Sequence, residues 1–386
     1  MTTPHVKQRK NSDIEALRAL AIVLVIFAHI ALILSPQSVY WQVLADYRFG
    51  YGVDIFFCVS GFIITKSIAN EIPSNRSLRD VLELSVPFWV RRFWRLMPSA
   101  LFWIGVSLLL SWLYGGRGVF LQVEIFVHSA LAAALQYMNV VYAVSRDTGT
   151  LGDAGIYWSL SLENQFYLVL PIIAVLAGRR WMPAVFIVIF LAQFFLTRQL
   201  IRPTPELWAF RTDAISLGVL LALWHGSESY KRLEPGFLKN GWLVLLLLAG
   251  MIAFLARLTA PNPPLPFAMG LTAVGSALLV WIASYNNNYL TANSAIAAFC
   301  NYIGSRSYAI YLTHVIALSL VRHWFFSQPG DPVPTPFDGG YTVFYITMFV
   351  AITLLFSEFN YRFIENPMRK HGEKLSRNLK GRFALA

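Results

Sequence analysis

The sequence predicts an all-α integral membrane protein with about ten transmembrane helices and both termini in the cytoplasm. Of its 386 residues, 56% are hydrophobic and only 13% are charged, whereas soluble domains carry about 25% charged residues. The chain also contains eleven apolar runs close to the roughly 20 residues that a spanning helix needs. The runs are residues 14–35, 50–70, 98–114, 121–145, 156–177, 181–200, 208–225, 241–258, 265–284, 302–324 and 340–361.

The first run is predicted to be a retained span rather than a cleaved signal peptide. It follows the basic segment 7–10, as a signal sequence would, but it is long and contains Glu15, Arg18 and His29. It also lacks the small-residue cleavage site of a signal peptide. Residues 1–13 are therefore expected to be a cytoplasmic segment.

The basic residues between the runs set the predicted topology. Cytoplasmic loops are enriched in lysine and arginine, which places residues 76–96, Arg179, Arg180 and a basic tail at 368–386 on the cytoplasmic side. Eleven complete crossings would separate the two termini, so one run is expected not to cross. The best candidate is 121–145, whose polar residues favour a re-entrant or interfacial path.

Three segments complete the predicted organisation. Residues 14–367 are expected to form one membrane domain. Within it, residues 76–96 combine apolar residues with arginines and acids, which is typical of an interfacial helix. The segment 327–339 contains four prolines and is expected to be an extracytoplasmic loop.

Cysteine content and charge exclude several classes of protein. Cys58 and Cys300 lie in or beside apolar runs, which excludes a disulfide framework and a cysteine-based zinc site. The formal net charge is +11, but nucleic-acid binders concentrate such charge on one solvated face. Here most of the basic residues lie between apolar runs, so neither a nucleic acid nor a metal is predicted as a partner.

Eight ionisable residues lie in or near the apolar runs. At the centre of a membrane helix each costs about 2.5–3.5 kcal/mol, which makes it a functional candidate. Such residues must pair, reach the lipid headgroups or line a water-filled cavity. Arg211 is one possible partner for Asp54. Arg306 and Glu358 lie near helix ends and are expected to reach the headgroups. The eight residues are Glu15, Arg18, Asp54, Glu163, Arg211, Asp213, Arg306 and Glu358.

Arg18 and His29 give the sharpest geometry. They are eleven residues apart, which on a helix puts them within ~20° of one face and ~16 Å apart along the axis. A cation at one end and an imidazole deeper in the bilayer suit an extended donor with an anionic end, such as an acyl-CoA. Histidine is a common general base because its reference pKa is near 6.5. A purely structural histidine remains the alternative.

Arg91, Arg92 and Arg95 form a basic cluster just before Pro98. Arg91 and Arg95 are four residues apart and are therefore predicted to share one helix face. Guanidinium groups bind phosphate with two parallel hydrogen bonds, so the cluster suits the phosphates of CoA. Anchoring to anionic lipid headgroups explains the same charges equally well.

Six motif-like stretches are spread along the chain: residues 14–21 continuing to His29, 52–62, 91–98, 158–167, 307–314 and 361–367. Together and in this order they resemble the membrane-bound acyltransferase family 3, which includes glycan O-acetyltransferases. The resemblance covers nearly the whole chain, and it departs from the family at Asn164 and Asn366, where another acid and an arginine are usual. Without an appended soluble domain, the chain is similar to the stand-alone members.

The resemblance implies a bacterial inner-membrane enzyme that moves an acyl group, usually acetyl, from cytoplasmic acetyl-CoA to a hydroxyl. The implied acceptor is a glycan, a lipid-linked sugar or a glycosylated small molecule, and membrane lipids surround the protein. His29 and Glu163 match the family's histidine and acid and are expected to be catalytic. Direct base catalysis by His29 and an acyl-histidine intermediate stay open.

The remaining site predictions concern binding. Arg18 matches the arginine of the family's first helix, and with Arg91, Arg92 and Arg95 it is expected to hold CoA. The residues expected to contact the acceptor or to line its path are Asp54, Trp158, Tyr167, Arg211, Tyr311 and His314. A polytopic transporter or flippase of a glycan or lipid-linked intermediate is the alternative function, although no internal repeat supports it.

Overall fold

The computed structural model describes residues 11–35, 37–73, 76–116, 118–145, 148–196, 198, 205–239, 241–261, 263–291, 293–326 and 339–385. Within these ranges the regular structure is entirely helical. The α-helices, in chain order, are α1 Ser12–His29, α2 Val39–Asp46, α3 Gly52–Ile68, α4 Leu78–Tyr114, α5 Val123–Ala134, α6 Met138–Ser145, α7 Tyr157–Phe194, α8 Asp213–Trp224, α9 Glu228–Arg232, α10 Gly241–Leu258, α11 Ala268–Ser284, α12 Ser294–Phe326, α13 Thr342–Phe359 and α14 Asn366–Leu385. Most of the predicted loop at 327–339 and most of the predicted segment 1–13 lie outside the described residues.

Six helical segments among the described residues are long and apolar enough to cross a membrane. They are Ser12–Ile33, Leu78–Tyr114, Gly152–Phe194, Gly241–Leu258, Ser294–Phe326 and Thr342–Phe383. The chain is therefore an all-helical integral membrane protein, as the sequence predicts. Ten crossings and two cytoplasmic termini stay predictions.

Helix α7 contains two of the sequence's apolar runs because it folds back on itself. The aromatic rings of Phe166 and Phe186 are 6.2 Å apart, whereas twenty residues of straight helix would separate them by ~30 Å. The turn occurs at Gly178, whose φ of 65° suits a residue without a Cβ. Arg76 donates to the carbonyl oxygen of Ala177 at 3.4 Å, so the predicted cytoplasmic segments containing Arg76 and Arg179 lie together.

Helix α4 differs from the prediction for residues 76–96. These residues do not form a separate interfacial helix; residues 78–96 continue into the next apolar run as one 37-residue helix, ~55 Å long. Packing against α14 explains this continuity, because Gly372 of α14 lies against Trp94 and the rings of Trp94 and His371 are 4.6 Å apart. The predicted basic tail is thus a helix docked on α4.

The run 121–145 is broken into α5 and α6. The break falls at Gln136, whose φ is 62°, and the two helices have 12 and 8 residues. Even the longer one rises only ~18 Å, too short for a hydrocarbon core of about 30 Å. Asn164 and Gln165 of α7 hydrogen-bond Gln136 at 2.6 and 2.8 Å, which satisfies its polar groups. This segment does not cross as a single helix.

The centre of the bundle is built on close helix contacts. Helix α1 packs between α3 and α12, and α3 packs on α8. At the α3–α8 crossing a Cβ on Gly61 would lie 2.3 Å from the carbonyl oxygen of Ile215, and one on Gly218 would lie 2.2 Å from that of Cys58. Small residues at such crossings let membrane helices approach closely. The contact fixes the part of α3 that carries Asp54 and Ser60.

Most of the intramembrane charges are paired, as the energetic argument requires. Arg306 and Glu358 pair with each other at 2.5 Å instead of reaching separately toward headgroups, because α12 and α13 pack side by side. The expected pairing of Asp54 with Arg211 is confirmed. The ion pairs among the eight residues and their neighbours are Glu15–Arg18, Asp54–Arg211, Arg198–Asp213 and Arg306–Glu358.

Candidate active site

A central cavity opens between α1, α3, α4, α7 and α12, with an empty volume of about 760 Å³ including its mouth. Its wall is mostly apolar on the α3 side, apart from Ser60, and mostly polar elsewhere, apart from Leu96 and Leu160. The polar and aromatic lining residues are Arg18, Phe56, Phe57, Ser60, Arg92, Arg95, Ser159, Glu163, Tyr167, Ser307, Tyr308 and Tyr311. Pockets of this size, with a few convergent polar groups, are the usual place for a small-molecule ligand.

Three arginines line the cavity. Arg18 donates hydrogen bonds to Glu15 at 3.3 Å and to the hydroxyl of Ser307 at 3.0 Å. These bonds fix its guanidinium and place a carboxylate beside its positive charge. The guanidinium of Arg92 lies 5.6 Å from the ring of Tyr167, and its buried Nε has no hydrogen-bond partner among the described residues. Arg95 follows one turn later. Together they make one wall of the cavity cationic.

Arg91 does not line the cavity, so the prediction that it holds CoA gains no support from this site. Its guanidinium donates to the hydroxyl of Ser376 at 2.7 Å, on the side of α4 that packs against α14. The pair that lines the cavity is Arg92 and Arg95, three residues apart, rather than Arg91 and Arg95. The tail helix, which the sequence pattern did not place, decides which arginine faces inward.

Glu163 lies in the cavity wall and accepts hydrogen bonds from the hydroxyls of Ser60 and Tyr167 at one carboxylate oxygen, Oε1. The hydrogen bonds described for Glu163 go to these two hydroxyls and not to His29. Tyr167 lines the same wall, as predicted for a substrate contact. Ser60 of α3 thus bonds across to α7 and also lines the cavity.

Tyr311 closes one end of the cavity. Its hydroxyl donates to the carbonyl oxygen of Ile156 at 2.8 Å and accepts from Ser159 at 2.7 Å. One turn earlier, Tyr308 donates to the carbonyl oxygen of Leu96 at 2.7 Å. Tyr308 and Tyr311 are therefore both hydrogen-bonded to backbone carbonyls of neighbouring segments. Serines at this depth carry no distinctive signal, which is why Ser159 and Ser307 were not foreseen as lining residues.

His29 and His314 form a histidine pair beyond Tyr311. Their ring centroids are 5.0 Å apart at an interplanar angle of 69°, and the rings of His314 and Tyr311 are 5.6 Å apart. Each imidazole bonds a backbone carbonyl through Nδ1, His29 to Val25 at 2.8 Å and His314 to Tyr311 at 2.7 Å. A carbonyl only accepts, so Nδ1 carries the proton and each Nε2 keeps its lone pair.

Asp54, Arg211 and Trp158 belong to a separate charged cluster. The carboxylate of Asp54 pairs with Arg211, whose guanidinium lies 5.6 Å from the ring of Trp158 and 5.4 Å from that of Trp208. The two indoles are 4.1 Å apart. None of these side chains lines the central cavity as described, so their predicted role as substrate contacts gains no support there. Trp208 was not foreseen, because it opens a run interpreted as a span.

Metal-ligating side chains are not grouped in the described ranges: no three His, Cys, Asp or Glu residues there are placed to hold an ion.

Comparison with known proteins identifies a family and several relatives. The sequence profile of the acyltransferase 3 domain matches residues 11–358. The peptidoglycan O-acetyltransferase OatA of Listeria monocytogenes is 27% identical over 93% of this chain and 56% of its own length. The O-acetyltransferase OatA of Staphylococcus aureus is 26% identical over 86% of this chain and 55% of its own length. The chain thus spans little more than half the length of these relatives, and no solved structure matches it. The extent of the profile match shows that the chain belongs to the acyltransferase 3 family.

Proposed function

We propose that this chain is a membrane O-acetyltransferase of the bacterial inner membrane, with acetyl-CoA as donor and a glycan hydroxyl as acceptor. The observation that carries the proposal is the arrangement along α1 and α12. A cationic cavity lies at the level of Arg18 and Ser307, and the histidine pair lies two to three turns further along both helices. This order matches a donor with an anionic end and a reactive thioester end.

The arginines provide the donor site. Arg92 and Arg95 face the cavity, and the unpartnered Nε of Arg92 is available for a phosphate oxygen. Hydrogen bonds between guanidinium and phosphate are about twice as strong as neutral ones. Arg18, already bonded to Glu15 and Ser307, adds positive charge at the same level. The positive-inside rule assigns this level to the cytoplasmic side, where acetyl-CoA is made available.

His29 supplies the base. Its Nδ1–H is fixed on the Val25 carbonyl at 2.8 Å, so Nε2 removes the proton from the acceptor hydroxyl as the oxygen attacks the thioester carbon. The tetrahedral intermediate then expels the CoA thiolate, and the imidazolium returns the proton to sulfur. The products are an acetyl ester and free CoA, and His29 is neutral again. General base catalysis contributes typically 10²–10⁴-fold.

Two predicted residues receive different roles in this proposal. Glu163 is a positioning residue, because it anchors the hydroxyls of Ser60 and Tyr167 in the donor cavity. His314 fixes the ring of His29 by edge contact rather than binding the acceptor. The acceptor class is proposed from the relatives, one of which is named a peptidoglycan O-acetyltransferase.

The test is transfer of labelled acetyl from acetyl-CoA to muropeptides, the soluble fragments that lysozyme releases from peptidoglycan, by the purified protein in nanodiscs. Wild type and the control His128→Gln, which changes an exposed histidine on α5, are expected to form alkali-labile acetyl esters. His29→Gln is expected to lose at least 100-fold in rate. Intact acetyl-CoA after incubation with folded wild type would refute the donor and favour a transporter.

A further inference from the structure

A second polar group lies on α12 beyond the histidine pair. Asp153, in the 3₁₀ turn Gly152–Ile156 that precedes α7, accepts a hydrogen bond from Ser319 at 2.6 Å through Oδ1. Arg322, one turn further along α12, interacts electrostatically with the same carboxylate. We call Asp153, Ser319 and Arg322 the outer subsite.

The position of the outer subsite relative to the central cavity follows from the helix rise. Ser319 and Arg322 lie ~7.5 and ~12 Å beyond His314 along α12, whereas Ser307, which lines the cavity, lies ~10 Å before it. Arg322 is eleven residues after Tyr311 and so falls within ~20° of the same face. The cavity, the histidine pair and the outer subsite therefore follow one another along the axis of α12, and Arg322 shares a face with Tyr311 of the cavity.

The hydrogen bonding of the outer subsite is incomplete. Oδ2 of Asp153 and Nε of Arg322 are both buried, and neither has a hydrogen-bond partner among the described residues. A buried polar atom without a partner is rare in native structures. One unused acceptor and one unused donor in the same region call for a ligand that offers both a donor and an acceptor.

Aromatic side chains surround His323, the residue that follows Arg322 on α12. The ring of His323 lies 4.6 Å from that of Tyr114 and 5.4 Å from that of Phe120, at the end of α4 nearest the outer subsite. Ligand sites typically combine such apolar and aromatic walls with a small number of placed polar groups. The charges differ from those of the central cavity, because here a carboxylate stands opposite a single guanidinium. An anionic donor is therefore disfavoured.

We propose that the outer subsite binds two neighbouring hydroxyls of a neutral sugar, and that it orients the acceptor toward the histidine pair from the side opposite the donor. One hydroxyl donates to Oδ2 of Asp153, and the oxygen of its neighbour accepts from Nε of Arg322. A third hydroxyl of the same sugar faces Nε2 of His29. This inference rests on the proposed acetyl transfer and assigns its acceptor side; Asp153 itself takes no proton from the reacting hydroxyl.

The test separates acceptor binding from donor chemistry. Muropeptides serve as the acceptor probe, and three quantities are measured in nanodiscs: KM for the muropeptide, KM for acetyl-CoA, and the slow hydrolysis of acetyl-CoA without acceptor. Asp153→Asn and Arg322→Gln are each expected to raise the muropeptide KM at least tenfold and to leave the two donor quantities within twofold. Asp153→Glu, which keeps the charge, is expected to recover part of the affinity. Asp46→Asn, at an exposed carboxylate ending α2, is the matched control.

The outcomes distinguish this inference from the proposed function. If wild type consumes no acetyl-CoA, the proposed function fails. If wild type transfers acetyl but both variants keep a wild-type muropeptide KM, the outer subsite is refuted alone. Equal losses in donor hydrolysis and in acceptor transfer, or failure of both variants to fold, would show that Asp153 and Arg322 have a structural role. Either result would also refute the outer subsite.

Discussion

The buried pair Asp54–Arg211 allows a quantitative test of how this bundle holds charge. The side chains are only 3% and 8% exposed, and the nearest other acid on the cluster, Asp213, is already paired with Arg198 at 2.5 Å. Asp54→Asn therefore leaves a buried guanidinium without a counter-ion. The contacts of Arg211 with the two indoles are present in both the wild type and the variant, so they do not offset the loss of the ion pair. Breaking such a pair costs about 3–5 kcal/mol.

The matched control is the pair Arg79–Glu83, which has similar geometry at 2.7 Å but is 61% and 36% exposed. Glu83→Gln is expected to cost no more than about 0.5 kcal/mol, because exposed helix pairs contribute little. The assay is unfolding in mixed dodecyl maltoside and SDS micelles, followed by tryptophan fluorescence. The double variant Asp54→Asn/Arg211→Gln should recover most of the loss, since no charge stays unpaired. Equal stability of Asp54→Asn and Glu83→Gln would refute the reasoning.

Three further predictions use the same protein preparations. Gly218→Ala should lower stability by about 1–3 kcal/mol, because the added Cβ would clash with the backbone of α3. The control is Gly250→Ala, where an added Cβ would have no other atom within 4 Å. Equal stability of the two variants would contradict the close crossing of α3 and α8. Arg91→Gln should leave KM for acetyl-CoA unchanged, since this arginine bonds α14; an increase like that of Arg92→Gln would place it in the donor site. Glu163→Gln keeps an oxygen for both hydroxyl donors. A kcat at least tenfold lower in a stable protein would show that the negative charge of Glu163 contributes to the reaction, whereas an unchanged kcat would exclude a role for that charge.

The sequence predicts the membrane class, and part of the site, for identifiable physical reasons. Apolar length and buried charge are strong local signals, so the residues alone predict a retained first span and a need for buried charges to pair, with Arg211 as one possible partner of Asp54. The same holds for the break in 121–145, where polar residues interrupt an apolar run. The helical period also places Arg18 and His29 along one helix.

Features that depend on packing between distant segments were not predictable in this way. The periodicity of α4 cannot tell which arginine faces inward; the docking of α14 on the Arg91 side decides it. Likewise, the partners of Glu163 come from two different helices. The outer subsite joins a turn before α7 to the end of α12, and no local pattern brings Asp153 and Arg322 together.

In the proposed function the cavity arginines bind the donor, and the histidine pair performs the acetyl transfer. Steady-state kinetics with varied acetyl-CoA on Arg92→Gln and His29→Gln tests it most directly, with His128→Gln as the control. Loss of a charge-assisted hydrogen bond predicts at least a tenfold increase in KM for Arg92→Gln with little change in kcat. His29→Gln should lower kcat by at least 100-fold at an unchanged KM. An unchanged kcat for His29→Gln in folded protein would contradict the account.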